Sequence, residues 1–191
     1  MHTLGLLALQ GDYYKHGEKF NLLGAETCRV RQPEDLDTID ALIMPGGEST
    51  TMGILLERTG LLLPLKEKIK AGLPVFATCA GLIILAKKVV GYSQVHLGVL
   101  DVDVERNAYG RQTESFEADF NSEIMGDKPV RGVFIRAPQI KRTGPGVKIL
   151  AYFEKIPVLV RQDNILAGSF HPELTDDLRI QEYFLSMLEE R

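Results

Sequence analysis

Cys79 stands in the run Val75-Phe76-Ala77-Thr78-Cys79-Ala80-Gly81-Leu82-Ile83, between an apolar segment of strand length and a helix-like one. Its neighbours at minus two and plus two are the small residues Ala77 and Gly81, which suits a sharp strand-to-helix turn around a nucleophile. A thiol there meets unpaired N–H groups and the positive end of the helix dipole, both of which favour the thiolate. A thiolate nucleophile needs a base, and Ser169-Phe170-His171-Pro172-Glu173 offers one with a carboxylate two residues on. Residues two apart in extended backbone share a face, and Pro172 favours that form at His171. Glu173 is then expected to accept a hydrogen bond from one ring nitrogen while the other faces the thiol, the logic of nucleophile, base and orienter. Taken singly, a buried structural cysteine and an exposed loop histidine are the plainer readings. Taken together in one chain, the three residues favour a Cys-His-Glu triad.

Two further segments supply groups that such chemistry would use. Met44-Pro45-Gly46-Gly47-Glu48-Ser49-Thr50-Thr51 also follows an apolar strand. Its paired glycines let a backbone N–H approach a ligand and let a peptide flip cheaply. The N–H groups of Gly47 and Ala80 are the expected donors to a developing oxyanion. A plain turn with Ser49 as helix N-cap is compatible with that role. Arg106 stands at the end of a strand and Arg136 in an otherwise apolar run, where bidentate pairing with a substrate carboxylate or a structural ion pair would satisfy each. Cys28, inside a strand with no turn residues nearby, reads as structural. His2 and His16 read as surface residues, and His96, before a Leu-Gly turn, as structural.

The elements that must position these residues follow from the apolar pattern. Strands are expected over 4–9, 26–31, 41–44 and 74–78, alternating with helices over 13–23, 49–58, 62–71 and 80–88. Strict alternation implies right-handed crossovers and a mostly parallel sheet covered on both faces. The second half is richer in strands, expected over 97–105, 115–120, 130–136 and 148–153, with a hairpin around Gln162-Asp163-Asn164. A closing helix is expected over 176–190, capped by Thr175 or Asp176. No repeat or linker divides the chain, so one α/β domain over residues 1–191 is expected.

Composition narrows the remaining classes. The 191 residues carry 26 acidic and 22 basic side chains, a net charge of −4, which disfavours a nucleic-acid partner. Hydrophobic residues make up 45%, enough for a packed core. Two cysteines exclude a disulfide scaffold, and four scattered histidines lack metal-ligand spacing. The apolar start has no positive leader region and reads as a buried strand, and no stretch is long enough to span a bilayer. A cytoplasmic location with no membrane partner is therefore expected.

These residues resemble the triad-type (class I) glutamine amidotransferases and, within them, the glutaminase subunits of pyridoxal 5′-phosphate synthase. The resemblance runs from Gly5 to about Asp177. It is carried by Leu9-Gln10-Gly11, by the segments from Pro45 to Met52 and from Thr78 to Ala86, and by Val104-Glu105-Arg106-Asn107. Gly110-Arg111-Gln112, Ser115-Phe116-Glu117, the segment from Gly132 to Pro138 and that from Ser169 to Leu174 complete it. It implies a flavodoxin-like single domain whose mostly parallel central sheet is flanked by helices, with additional antiparallel strands in the C-terminal half. It implies Cys79 as nucleophile, His171 as general acid/base and Glu173 as orienter. Glutamine contacts from Gly47, Glu48, Ser49, Arg106, Ile135 and Arg136 are implied too, with Gln10 near the oxyanion region. The family usually has glycine where this chain has Ala77, which fits if its φ is negative. No cofactor is implied. The implied partners are L-glutamine and a separate synthase subunit of (β/α)8 fold, joined in a large hetero-oligomer and receiving the ammonia. The glutaminase of another pathway, such as histidine biosynthesis, a cysteine hydrolase or peptidase of related fold, and a binding module without catalysis are the rival readings. Because the machinery spreads from Gln10 to Glu173, the recipient of ammonia is expected on another polypeptide.

Overall fold

A computed structural model describes residues 2–109 and 115–190. The Gly110-Arg111-Gln112 block lies outside the described residues. Five strands, β1 (Thr3–Leu7), β2 (Glu26–Val30), β3 (Ala41–Met44), β4 (Val75–Thr78) and β12 (Ile165–Gly168), run parallel in the central sheet. Two more, β10 (Lys148–Phe153) and β11 (Ile156–Gln162), extend it antiparallel, giving the order β10-β11-β12-β4-β3-β1-β2. The helices of this layer are α1 (Tyr13–Leu22), α2 (Ser49–Arg58), α3 (Leu62–Lys70), α4 (Ala80–Leu85) and α5 (Arg179–Glu189).

Both faces of the sheet are buried, which is why its central strands read as unbroken apolar runs rather than alternating ones. Leu42 and Met44 of β3 join one core with Val75, Ala77, Met52 and Leu56. Ala41 and Ile43 point the other way, into a second core with Phe76, Phe20, Phe134, Phe170 and Phe184. The mostly parallel sheet between helices and the antiparallel additions of the C-terminal half agree with the expected fold class.

Several boundaries differ from the sequence pattern. The expected helix over 80–88 ends at Leu85, and β5 (Ala86–Val90) takes over, pairing parallel with β6 (Leu100–Glu105). The N–H groups of Leu97 and Val99 satisfy the last carbonyls of α4, at 2.7 Å to Ile84 and 3.0 Å to Leu85. That use as a helix cap is why residues 97–99 do not belong to β6. A strand absent from the sequence reading, β9 (Gln139–Thr143), pairs antiparallel with β6. The hairpin of β7 (Ser115–Phe120) and β8 (Val130–Ile135) forms a separate two-stranded sheet.

At the C-terminus, residues 172–174 form a 3-10 turn and α5 starts only at Arg179. The Thr175 hydroxyl bonds back to the Pro172 carbonyl, and it is Asp177 that accepts the Arg179 N–H at 3.1 Å. No helix among the described residues is long and apolar enough to cross a membrane.

Candidate active site

The register of the sheet brings the chemistry together. Thr78, the last residue of β4, lies opposite Gly168, the last residue of β12. Cys79 therefore leaves its strand beside the segment that carries His171, and its N–H donates to the Gly168 carbonyl at 2.9 Å. Carboxyl ends of parallel strands are where open α/β sheets gather ligands. Cys79 adopts φ 46° and ψ −101°, a backbone conformation that a side chain rarely occupies, and is 6% exposed. Ala80 begins α4 immediately after it, where N–H groups have no acceptor within the helix. Ala77 is an extended β4 residue outside the positive-φ set, as its side chain requires.

Through Nδ1 the His171 ring lies 2.7 Å from Glu173 Oε1, and the ring interacts electrostatically with Cys79. This pair was expected from extended backbone, whereas Glu173 actually sits in the turn that Pro172 opens, so the contact closes through a 3-10 turn. His171 N–H is anchored on the Val133 carbonyl of β8 at 2.8 Å. Burial alone would lower the His171 pKa, but its interactions with Cys79 and Glu173 outweigh it and raise the value to about 10. Burial likewise opposes the charge of Glu173, yet the neighbouring His16 and His171 hold its pKa below the ordinary carboxylate value.

Gly46 lies directly against the imidazole: a Cβ there would come 2.3 Å from His171 Cε1. Gly47 follows with φ 150°, and the Gln10 side chain accepts the Glu48 N–H at 2.9 Å through Oε1. Gln10 thus ties the end of β1 to this turn. The expected Ser49 cap is corrected: Glu48 is the N-cap of α2, its two oxygens accepting from the N–H groups of Thr50 and Thr51. These bonds overcome its partial desolvation and lower its pKa to about 2. Ser49 is buried and donates to Gln94 Oε1 at 3.1 Å instead.

Arg106 enters the same cluster. Its guanidinium pairs with Glu48 at 3.0 Å, reaches Thr50 Oγ1 and Gln94 Oε1 at 2.9 Å each, and lies 4.4 Å from the centre of the Tyr92 ring. Ile135 closes the other side of the cysteine, its carbonyl 3.8 Å from Sγ. Arg136 follows in the left-handed region at φ 44° and is exposed.

The structure therefore gathers Cys79, His171, Glu173 and Ile135 at one point, and Glu48, Ser49 and Arg106 at an adjoining one. A nucleophile, a base and anion-binding groups so arranged are suited to acyl transfer from a small charged substrate. Sequence reasoning missed Gln94 and Tyr92, which lie in a loop without periodicity. It also misplaced His16, which is wholly buried behind the triad because α1 packs that face onto the sheet. His96 does have a structural role, its ring nitrogens lying 3.0 Å from the Gln94 carbonyl and 3.3 Å from that of Lys87, one of which accepts the ring N–H. Cys28 is half-buried in β2.

The model of the SNO glutamine amidotransferase family matches residues 6–190. A pyridoxal 5′-phosphate synthase subunit PdxT of Thermotoga neapolitana is 57% identical over 97% of this chain and 98% of its own length. The PdxT of Carboxydothermus hydrogenoformans is 51% identical over 95% of each chain. A crystal structure of a glutamine amidotransferase superposes with a TM-score of 0.92 at 51% identity, covering 97% of this chain and 98% of its own.

Proposed function

Because the chain belongs to the SNO glutamine amidotransferase family, we propose that it hydrolyses L-glutamine to L-glutamate and ammonia and hands the ammonia to a separate pyridoxal 5′-phosphate synthase subunit. The observation that carries this reading is the strained, buried Cys79 beside the segment of a His171 that Glu173 orients at 2.7 Å.

Cys79 Sγ attacks the side-chain carbonyl carbon of glutamine, forming a tetrahedral intermediate whose oxygen is stabilised by the N–H groups of Gly47 and Ala80. His171 gives a proton to the departing nitrogen, and ammonia leaves behind a glutamyl thioester. A water molecule, deprotonated by His171, then attacks the thioester carbonyl. The second tetrahedral intermediate uses the same donors and collapses to glutamate, and the thiol regains its proton. Glu48, Ser49, Arg106, Ile135 and Arg136 hold the amino-acid end of the substrate, with Gln10 setting the shape of the glycine turn. The described network makes Arg106 a preoriented cation, which suits an α-carboxylate. Residues 1–191 act as one glutaminase domain, and its synthase partner is a (β/α)8 subunit in a larger assembly.

The test is ammonia release from glutamine by the pure chain, with and without the synthase subunit, beside Cys79→Ala. Low activity alone, a rise with the partner and loss in the variant are expected. Unchanged ammonia release from Cys79→Ala overturns the mechanism, and failure of the synthase to gain ammonia from glutamine overturns the partnership.

A further inference from the structure

A second histidine lies behind the triad. His16, on α1, is 0% exposed, and its Nε2 is 3.1 Å from Thr78 Oγ1 and 3.3 Å from Glu173 Oε2. Thr78 immediately precedes Cys79, and Glu173 presents its other oxygen to His171. One imidazole therefore touches the backs of the nucleophile's strand and of the orienting carboxylate. Its seat is built for closeness: Gly17 beside it lets α1 approach β1, where a Cβ would come 2.8 Å from Leu6 Cδ1. The Phe76 ring meets the imidazole edge-on, 5.9 Å away at 88°.

We propose that His16 is a positioning residue of the glutaminase, a neutral imidazole protonated on Nε2 that holds the outer oxygen of Glu173 so that Oε1 faces His171 Nδ1. The inference rests on the triad reading above. The tautomer follows from where the partners are. Both oxygens face Nε2, while Nδ1 has no hydrogen-bond partner among the described residues. A proton on Nδ1 would bury a donor without an acceptor, and a bare Nε2 would turn its lone pair toward a carboxylate. Glu173 Oε2 has no hydrogen-bond partner among the described residues, and His16 Nε2, which bonds Thr78 Oγ1 at 3.1 Å, lies within reach of it at 3.3 Å. Burial keeps the imidazole neutral: it lowers the His16 pKa, with Glu173 and Asp12 opposing and His171 reinforcing the effect.

A neutral donor at this place supports the carboxylate without competing for the proton that His171 carries. Without it, buried Glu173 loses a stabilising contact and takes up a proton at higher pH, so the acid limb of the kcat profile moves upward.

Two measurements test this in the full chain with its synthase partner. Nitrogen-15 NMR of imidazole-labelled, unsubstituted protein reads the His16 tautomer at pH 7. A neutral Nε2–H form is expected, and an Nδ1–H form or an imidazolium overturns the proposal. His16→Phe and His16→Gln are then compared for kcat, KM, the kcat–pH profile and Tm. His16→Phe is expected to lower kcat about 10-fold or more with little change in KM, and to raise the acid limb, through misplacement of the triad. His16→Gln, whose amide can donate to the same oxygens, is expected to recover much of both. Equal impairment of the two variants, or an unmoved acid limb in His16→Phe, assigns the residue to packing alone and overturns the proposal. Glutamine hydrolysis by the unsubstituted chain separates the two readings: its absence overturns the proposed reaction, whereas its presence with an unaltered His16→Phe overturns only the role of His16.

Discussion

Arg106 and Glu48 form an ion pair at 3.0 Å that joins the end of β6 to the N-cap of α2. The pair is only partly buried, with side-chain exposures of 21% and 49%, so its contribution to stability is small. Its consequence is orientation: the guanidinium is also held by Thr50, Gln94 and the Tyr92 ring.

Arg106→Ala is therefore expected to raise KM for glutamine by about 10- to 100-fold, the loss of a charge-assisted contact, with Tm little changed. Arg106→Lys should recover only part, because an ammonium cannot reproduce the planar fork. Steady-state kinetics with a coupled ammonia assay distinguishes these outcomes. A KM unchanged in both variants removes Arg106 from the binding site.

Glu48 links this site to acid stability. Burial works against its charge, but the hydrogen bonds from Thr51 and Thr50 prevail and hold its pKa near 2, below the ordinary 4.5. A carboxylate whose pKa is lowered by folding stabilises the fold above its unfolded value. That contribution is lost as pH falls from about 4.5 toward 2, where the folded state must take up the proton. Glu48→Gln should flatten the dependence of Tm on pH in this window, measurable by calorimetry. A slope identical to that of the unsubstituted chain is the outcome that contradicts it.

Gly46 has no room for a side chain, since a Cβ would sit 2.3 Å from His171 Cε1 and 3.0 Å from Nδ1. Gly46→Ala must displace the imidazole or the turn, and is expected to lower kcat by about 100-fold through misalignment of the triad. The circular dichroism spectrum should stay native, because the turn is at the edge of the core. Retention of full activity would show that the ring tolerates the shift.

Cys79 occupies φ 46°, where glycine is comfortable and other residues are strained. Cys79→Gly should abolish hydrolysis while stabilising the fold by roughly 1 kcal/mol, the lower end of the strain that such a conformation stores. Urea denaturation compares the two proteins. A marked loss of stability would mean that thiol packing outweighs backbone strain at this position.

Much of this protein is determined by its sequence alone. Apolar runs between turn residues defined the central parallel strands, because a strand buried on both faces must be apolar throughout. The small residues around Cys79 and the spacing of His171 and Glu173 pointed to the cluster these side chains form, because turn geometry and reach are local properties. Tertiary structure alone decided the rest. Whether residues 86–90 extend a helix or join a sheet depends on β6 being beside them, since a strand's hydrogen bonds need a partner. His16 looks like any polar residue of an amphipathic helix until α1 is laid against β4 and Glu173 is brought beneath it. Gln94 gains its place only when Ser49 and Arg106 converge on it from distant parts of the chain. Burial and hydrogen-bond partnership belong to pairs of segments, and no single segment records its neighbour.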